Sequence, residues 1–222
     1  MTNWLGRRKC PRYPIVVPVR HEIAAADGPR PGAGWTRDLS EAGACLELSE
    51  RFEPATVLGL SLRGDLGRIL LEAAVAWIGE AREPGTTLHG ITFRPLSTRG
   101  RELLHALLVR KRMVWQGMVR VPMDLPVTCL TRGQSRPPFQ GRTENISRGG
   151  LLLRLPVTCA VGTPLEVMLR TAVGPLGAEG TVVRVEPRDA QVPGTPIRHG
   201  FQFTSISAKT QMGLSQVLTD AP

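Results

Sequence analysis

Arg8-Lys9-Cys10-Pro11-Arg12, followed by Asp38-Leu39-Ser40-Glu41-Ala42-Gly43, is a pattern this chain writes twice. The second copy reads Gln116-Gly117-Met118-Val119-Arg120, then Asn145-Ile146-Ser147-Arg148-Gly149-Gly150. Arg12 and Arg120 stand 108 positions apart, and Asp38 and Asn145, like Gly43 and Gly150, stand 107 apart. Ala74-Val75-Ala76-Trp77 corresponds to Thr181-Val182-Val183-Arg184 at the same offset of 107. His89-Gly90-Ile91-Thr92-Phe93 corresponds to His199-Gly200-Phe201-Gln202-Phe203 at 110. Five landmarks in one order at nearly one offset indicate a tandem duplication. Residues 1–111 and 112–222 are then two related domains, each long enough to bury its own core.

Within each copy the apolar residues keep period two. Ile15, Val17 and Val19 alternate, as do Leu58, Leu60 and Leu62; Leu46 and Leu48 continue from Ala44. The second copy repeats this with Leu151, Leu153 and Leu155, then Leu165, Val167 and Leu169. Short period-two runs broken by Gly and Pro are strands, and strands without alternating helices suggest a small closed barrel. Ala24–Thr36, with Asp27-Gly28-Pro29 and Pro31-Gly32, is expected to be a long surface loop, and Glu186–Pro196 its counterpart. One helix is clear, from about Thr98 to Lys111, where Leu103, Leu104, Leu107 and Leu108 form one stripe. A weaker helical pattern, Ala208 to Leu218, closes the second copy.

The 222 residues carry 28 Lys plus Arg against 19 Asp plus Glu, a net charge of +9 that favours an anionic partner. Most of the cations are arginines, whose planar fork suits phosphates and guanine edges. The first residues reach Arg7-Arg8-Lys9 without an apolar core, so no signal peptide is read there. Apolar runs such as Leu151-Leu152-Leu153 are too short to span a bilayer. Cys10, Cys45, Cys129 and Cys159 have neither CxxC spacing nor a disulfide framework, which suggests reduced thiols in a cytoplasmic protein.

Two arginines four apart, then an acid or amide, a serine and a glycine at fixed spacing, resemble the PilZ family of cyclic di-GMP receptors. The resemblance implies an all-β fold of two tandem antiparallel barrels, each closed by a C-terminal helix. It also implies that Arg8, Arg12, Asp38, Ser40 and Gly43 bind cyclic di-GMP, with no other cofactor. Arginine can grip a phosphate, pair with guanine O6 and N7, or stack on a base. The Asp38 carboxylate can accept from guanine N1–H and N2–H, Ser40 can donate to a phosphate, and Gly43 permits close backbone approach. Trp77 is placed by the resemblance beside this surface, as a stacking platform or a core residue. Arg7 and Arg37 flank the motif and can add to its field or be ordinary surface charge. Asp-x-Ser by itself is also a common turn former.

In the second copy Arg120, Asn145, Ser147 and Gly150 keep the pattern, but Gln116 lacks the charge and plane of an arginine. Binding there is expected to be weak or absent, leaving the second domain as a scaffold or effector-facing surface. An enzyme is disfavoured: His21, His89, His105 and His199 lack metal-ligand spacing, and no phosphate-cradling loop or nucleophile elbow occurs. No metal site is expected. His89 and His199, each before a glycine, read as a repeated structural feature. Nucleic-acid binding fits the charge but is poorly supplied with aromatics, Tyr13 being the one tyrosine. A ligand-independent adaptor acting through an effector protein is the other alternative.

Overall fold

The computed structural model describes residues 10–23, 29–64, 66–114, 118–132, 137–186 and 196–220. It divides into two units, Met1–Val119 and Arg120–Pro222.

The first unit contains β1 (Pro18–Ile23), β2 (Arg30–Leu39), β3 (Gly43–Leu48), β4 (Val57–Gly64), β5 (Gly67–Glu80), β6 (Thr87–Phe93) and α1 (Thr98–Val114). The strands close in the order β1-β2-β3-β6-β5-β4, every pairing antiparallel. Alternate residues face inward, so Val19, Ala44, Leu46, Leu48, Leu58, Leu60, Leu62, Ile69 and Ile91 fill the interior. Ser97 caps α1 by accepting from the Gly100 N–H at 3.1 Å, and Leu104, Leu107 and Leu108 are buried. Leu107 reaches Gly64 at the end of the β4–β5 hairpin.

The second unit contains β7 (Val121–Pro122), β8 (Pro126–Thr131), β9 (Phe139–Ser147), β10 (Gly150–Leu155), β11 (Pro164–Thr171), β12 (Gly174–Val185), β13 (Ile197–Ser205) and α2 (Ala208–Asp220). Pairing of β10 with β9 closes the ring β8-β9-β10-β13-β12-β11, the same order as in the first unit. β7 is a short addition on β9, matched in the first unit by a single bridge between Tyr13 and Leu39. Ser207 caps α2 through the Thr210 N–H at 3.1 Å, and Leu214, Val217 and Leu218 bury the helix.

Two barrels, each followed by a helix, agree with the expected architecture. The expected loop Ala24–Thr36 is corrected: from Arg30 onward it is strand β2. Pro31 pairs with Glu22, while β3 joins β2 only from Gly34, so the missing proline N–H removes no ladder bond on that side. Of the Glu186–Pro196 connection, residues 187–195 lie outside the described residues.

A buried threonine recurs at one place in both barrels. Thr36 Oγ1 donates to Ile15 O at 2.7 Å and accepts from the Val17 N–H at 2.8 Å. Thr143 Oγ1 donates to Met123 O at 2.6 Å and accepts from the Leu125 N–H at 2.9 Å. Each hydroxyl stitches the segment before the first barrel strand to the second strand. Thr36→Val leaves the Ile15 carbonyl and Val17 N–H without this partner and is expected to cost about 1–3 kcal/mol in chemical denaturation.

Histidines fill a second repeated role. His89 Nε2 accepts from the Phe52 N–H at 3.0 Å, and His199 Nε2 from the Cys159 N–H at 3.1 Å. Both rings are buried, and burial holds both below the ordinary imidazole range. His21 is buried edge-on to Phe52, and among the described residues neither ring nitrogen has a hydrogen-bond partner. Burial, aided by His89, lowers its pKa from 6.5 to about 4. Below pH 6.5 the unfolded chain therefore takes a proton that the folded barrel refuses until about pH 4. Stability is full above pH 6.5 and falls as the pH drops toward 4, by on the order of 3 kcal/mol from this ring. Denaturation between pH 7 and 4.5 should show this slope, and His21→Phe should flatten it.

Candidate functional site

Two β-bulges build the candidate site on the outer face of the first barrel. Along β2, Thr36 pairs with Leu46 and Asp38 with Cys45, so Arg37 is the inserted residue. Along β5, Val75 pairs with Ile91 and Trp77 with Gly90, so Ala76 is inserted. Simple alternation from Val75 would send Trp77 inward; the bulge turns it out, and it is 44% exposed. Cys45 also pairs with Gly90. Asp38, Cys45, Gly90 and Trp77 thus form one row across four adjacent strands, β2, β3, β6 and β5. The Trp77 indole lies over Gly90, where a Cβ would collide with it.

Arg12 joins this row from the preceding segment. Tyr13 and Leu39 exchange backbone hydrogen bonds of 2.8 and 2.9 Å, which fixes Arg12 beside β2. Arg12 Nη1 meets Asp38 Oδ1 at 2.8 Å, and the side chains are 25% and 32% exposed. The same Oδ1 accepts from the Cys45 N–H at 3.1 Å. The ion pair is monodentate, so among the described residues the Nε and Nη2 edge of Arg12 and the Oδ2 of Asp38 are left for other partners. Beneath them the Cys45 thiol is pushed up to about 11, chiefly by burial and then by Asp38. It is therefore an inert floor rather than a nucleophile.

Ser40 and Gly43 make their contacts within the first barrel itself. Ser40 is buried; its Oγ donates to Gly43 O at 3.0 Å and accepts from the Gly43 N–H at 3.1 Å. The expected phosphate donor is thus engaged within the β2–β3 turn. Gly43 is required by strand packing: a Cβ there would overlap the Ile91 carbonyl oxygen of β6. Arg37 Nε pairs at 2.6 Å with the fully buried Glu47, which also accepts from Thr86 Oγ1 at 3.1 Å. Its charge compensates Glu47 and adds little to an anion field. Arg7 and Arg8 lie outside the described residues.

The second barrel repeats the frame. The bulges corresponding to those at Arg37 and Ala76 fall at Glu144 and Val183, and the corresponding row is Asn145, Leu152, Gly200 and Arg184. Ser147 Oγ donates to Gly150 O at 3.2 Å, and a Cβ on Gly150 would overlap Phe201 O. Arg120 is exposed, and Asn145 offers it no charge; Gln116 lies outside the described residues. Where the first barrel has Trp77, Arg184 stands instead, paired with Glu186 at 2.8 Å. Of the residues in this row and beside it, the sequence pointed to Arg12, Asp38 and Trp77 but not to Cys45 and Gly90, whose only signal is their strand partners.

No curated protein sequence matches this chain. Solved structures that are similar include the inhibitor of motility MotI/DgrA of Bacillus subtilis, 13% identical with a TM-score of 0.39, over 92% of this chain and 94% of that one. PlzA of Borreliella burgdorferi in complex with c-di-GMP is 10% identical with a TM-score of 0.38, over 91% and 86%. The PilZ domain of Escherichia coli YcgR with c-di-GMP is 18% identical with a TM-score of 0.39, over 48% and 93%. The PilZ domain model matches twice, at residues 6–110 and 117–220, so this chain belongs to the PilZ domain family.

Proposed function

We propose that the first barrel is a cyclic di-GMP receptor and that the second does not bind this ligand. The observation that carries the reading is the Arg12–Asp38 pair, set in one row with an outward-turned Trp77 in a PilZ domain. Arg12 presents its unused edge to a phosphate or to guanine O6 and N7. Asp38 Oδ2 accepts from guanine N1–H and N2–H, which supplies base selectivity. Trp77 stacks on a guanine face. Arg8 adds the second guanidinium from the N-terminal segment, and Ser40 and Gly43 act by holding the turn that aims Asp38.

The receptor works by binding, without turnover, and passes its state to an effector protein. Its four cysteines are free thiols, in keeping with a cytoplasmic setting. Among the described residues no helix is long and apolar enough to cross a membrane. Trp77→Ala is expected to weaken cyclic di-GMP binding about 5- to 150-fold, equivalent to roughly 1–3 kcal/mol of base stacking. Calorimetry with cyclic di-GMP checks this, and an unchanged affinity would take Trp77 out of the site. Binding of oligonucleotides that falls steeply with salt, without response to cyclic di-GMP, would favour the nucleic-acid alternative.

A further inference from the structure

The outer face of the second barrel carries three arginines side by side. Arg142 pairs with Arg154, and Arg154 with Arg198, across β9, β10 and β13. Neighbouring strands are about 4.8 Å apart, and like charges directly opposite repel. Three carboxylates hold the row together. Asp124 Oδ1 takes Arg142 at 2.6 Å and Arg154 at 2.9 Å, and the Arg142 hydrogen bond is the main cause of its lowered pKa. Glu144 takes Arg198 at 2.8 Å. Glu186 takes Arg184 at 2.8 Å and approaches Arg198 at 3.7 Å. Four guanidiniums thus face three carboxylates, on the face that in the first barrel carries Glu47 and Trp77.

We propose that this row is a closed anion site of phosphate-binding chemistry, occupied by the protein's own carboxylates. Two observations support it. The guanidiniums are spaced by the sheet itself, so removing the acids leaves their backbone positions in place. The acids also come from outside the row: Asp124 precedes β8, Glu144 is the inserted bulge residue, and Glu186 follows β12. Each can be neutralised without altering a row residue. On the reading that the second barrel does not bind cyclic di-GMP, two causes then act together, Gln116 and this internal occupation. The inference is independent of the reading of the first barrel.

The test uses the full chain with Arg8→Ala and Arg12→Ala, so that the first barrel's arginines do not contribute. Pyrophosphate is titrated calorimetrically at low ionic strength, where surface electrostatics are least screened. Adding Glu144→Gln and Glu186→Gln should tighten binding roughly tenfold or more, and Arg198→Ala should abolish the gain. No gain in a protein whose circular dichroism is unchanged overturns the proposal, as does a gain that survives Arg198→Ala. Should the double substitution fail to fold, Asp124→Asn probes the other half of the row. Its gain must then disappear with Arg154→Ala, and the absence of either effect overturns the proposal.

Discussion

Gly43→Ala is expected to destabilise the first barrel by about 3 kcal/mol or more, the upper end of overpacking costs. The reason is geometric. The added methyl would occupy the position of the Ile91 carbonyl oxygen, which belongs to the β6 backbone. A side chain could swing away; a carbonyl in the β3–β6 ladder cannot move without breaking that seam. Gly150→Ala should do the same to the second barrel, where Phe201 O occupies the equivalent place. Gly59→Ala is the control, since its nearest neighbour, Glu22 O, lies 3.7 Å away at ordinary contact distance. Urea denaturation of the three variants separates them. A Gly43→Ala protein of unchanged stability that no longer binds cyclic di-GMP would instead assign the glycine to close ligand approach.

Arg12→Ala is expected to lower cyclic di-GMP affinity by about 2–5 kcal/mol, a loss of roughly thirty-fold to several thousand-fold. Two effects add. The ligand loses a guanidinium, and Asp38 loses the partner that holds its Oδ1, keeping among the described residues the Cys45 N–H. The freed carboxylate then stands next to an incoming phosphate with its charge uncompensated. Arg12→Lys should restore only part of the binding, because an ammonium cannot serve Asp38 and a ligand edge as a planar fork does. Fold stability should change far less than affinity, since the pair is partly exposed.

The duplication carried much of the fold. Each period-two run named from sequence, such as Leu58, Leu60 and Leu62 or Leu165, Val167 and Leu169, faces a barrel interior. The Leu104, Leu107 and Leu108 stripe lies buried on α1. Bulges were not legible, because an inserted residue leaves no mark in composition or periodicity. Yet the bulges at Arg37 and Ala76 are what turn Asp38 and Trp77 outward together. Residues 30–36 misled for the opposite reason: Pro31 and Gly32 signal a break, and only the late arrival of β3 lets a strand accept them. The Ser40 and Gly43 positions were legible, but their hydrogen bonds and contacts are three-dimensional facts. The same spacing writes a turn and a ligand motif.

Calorimetric titration of the intact chain with cyclic di-GMP, alongside Arg12→Ala and Arg120→Ala, tests the central claim most directly. The account predicts micromolar or tighter binding that Arg12→Ala weakens by roughly thirty-fold or more and Arg120→Ala leaves unchanged. Binding that survives Arg12→Ala and disappears with Arg120→Ala would contradict it and move the site to the second barrel.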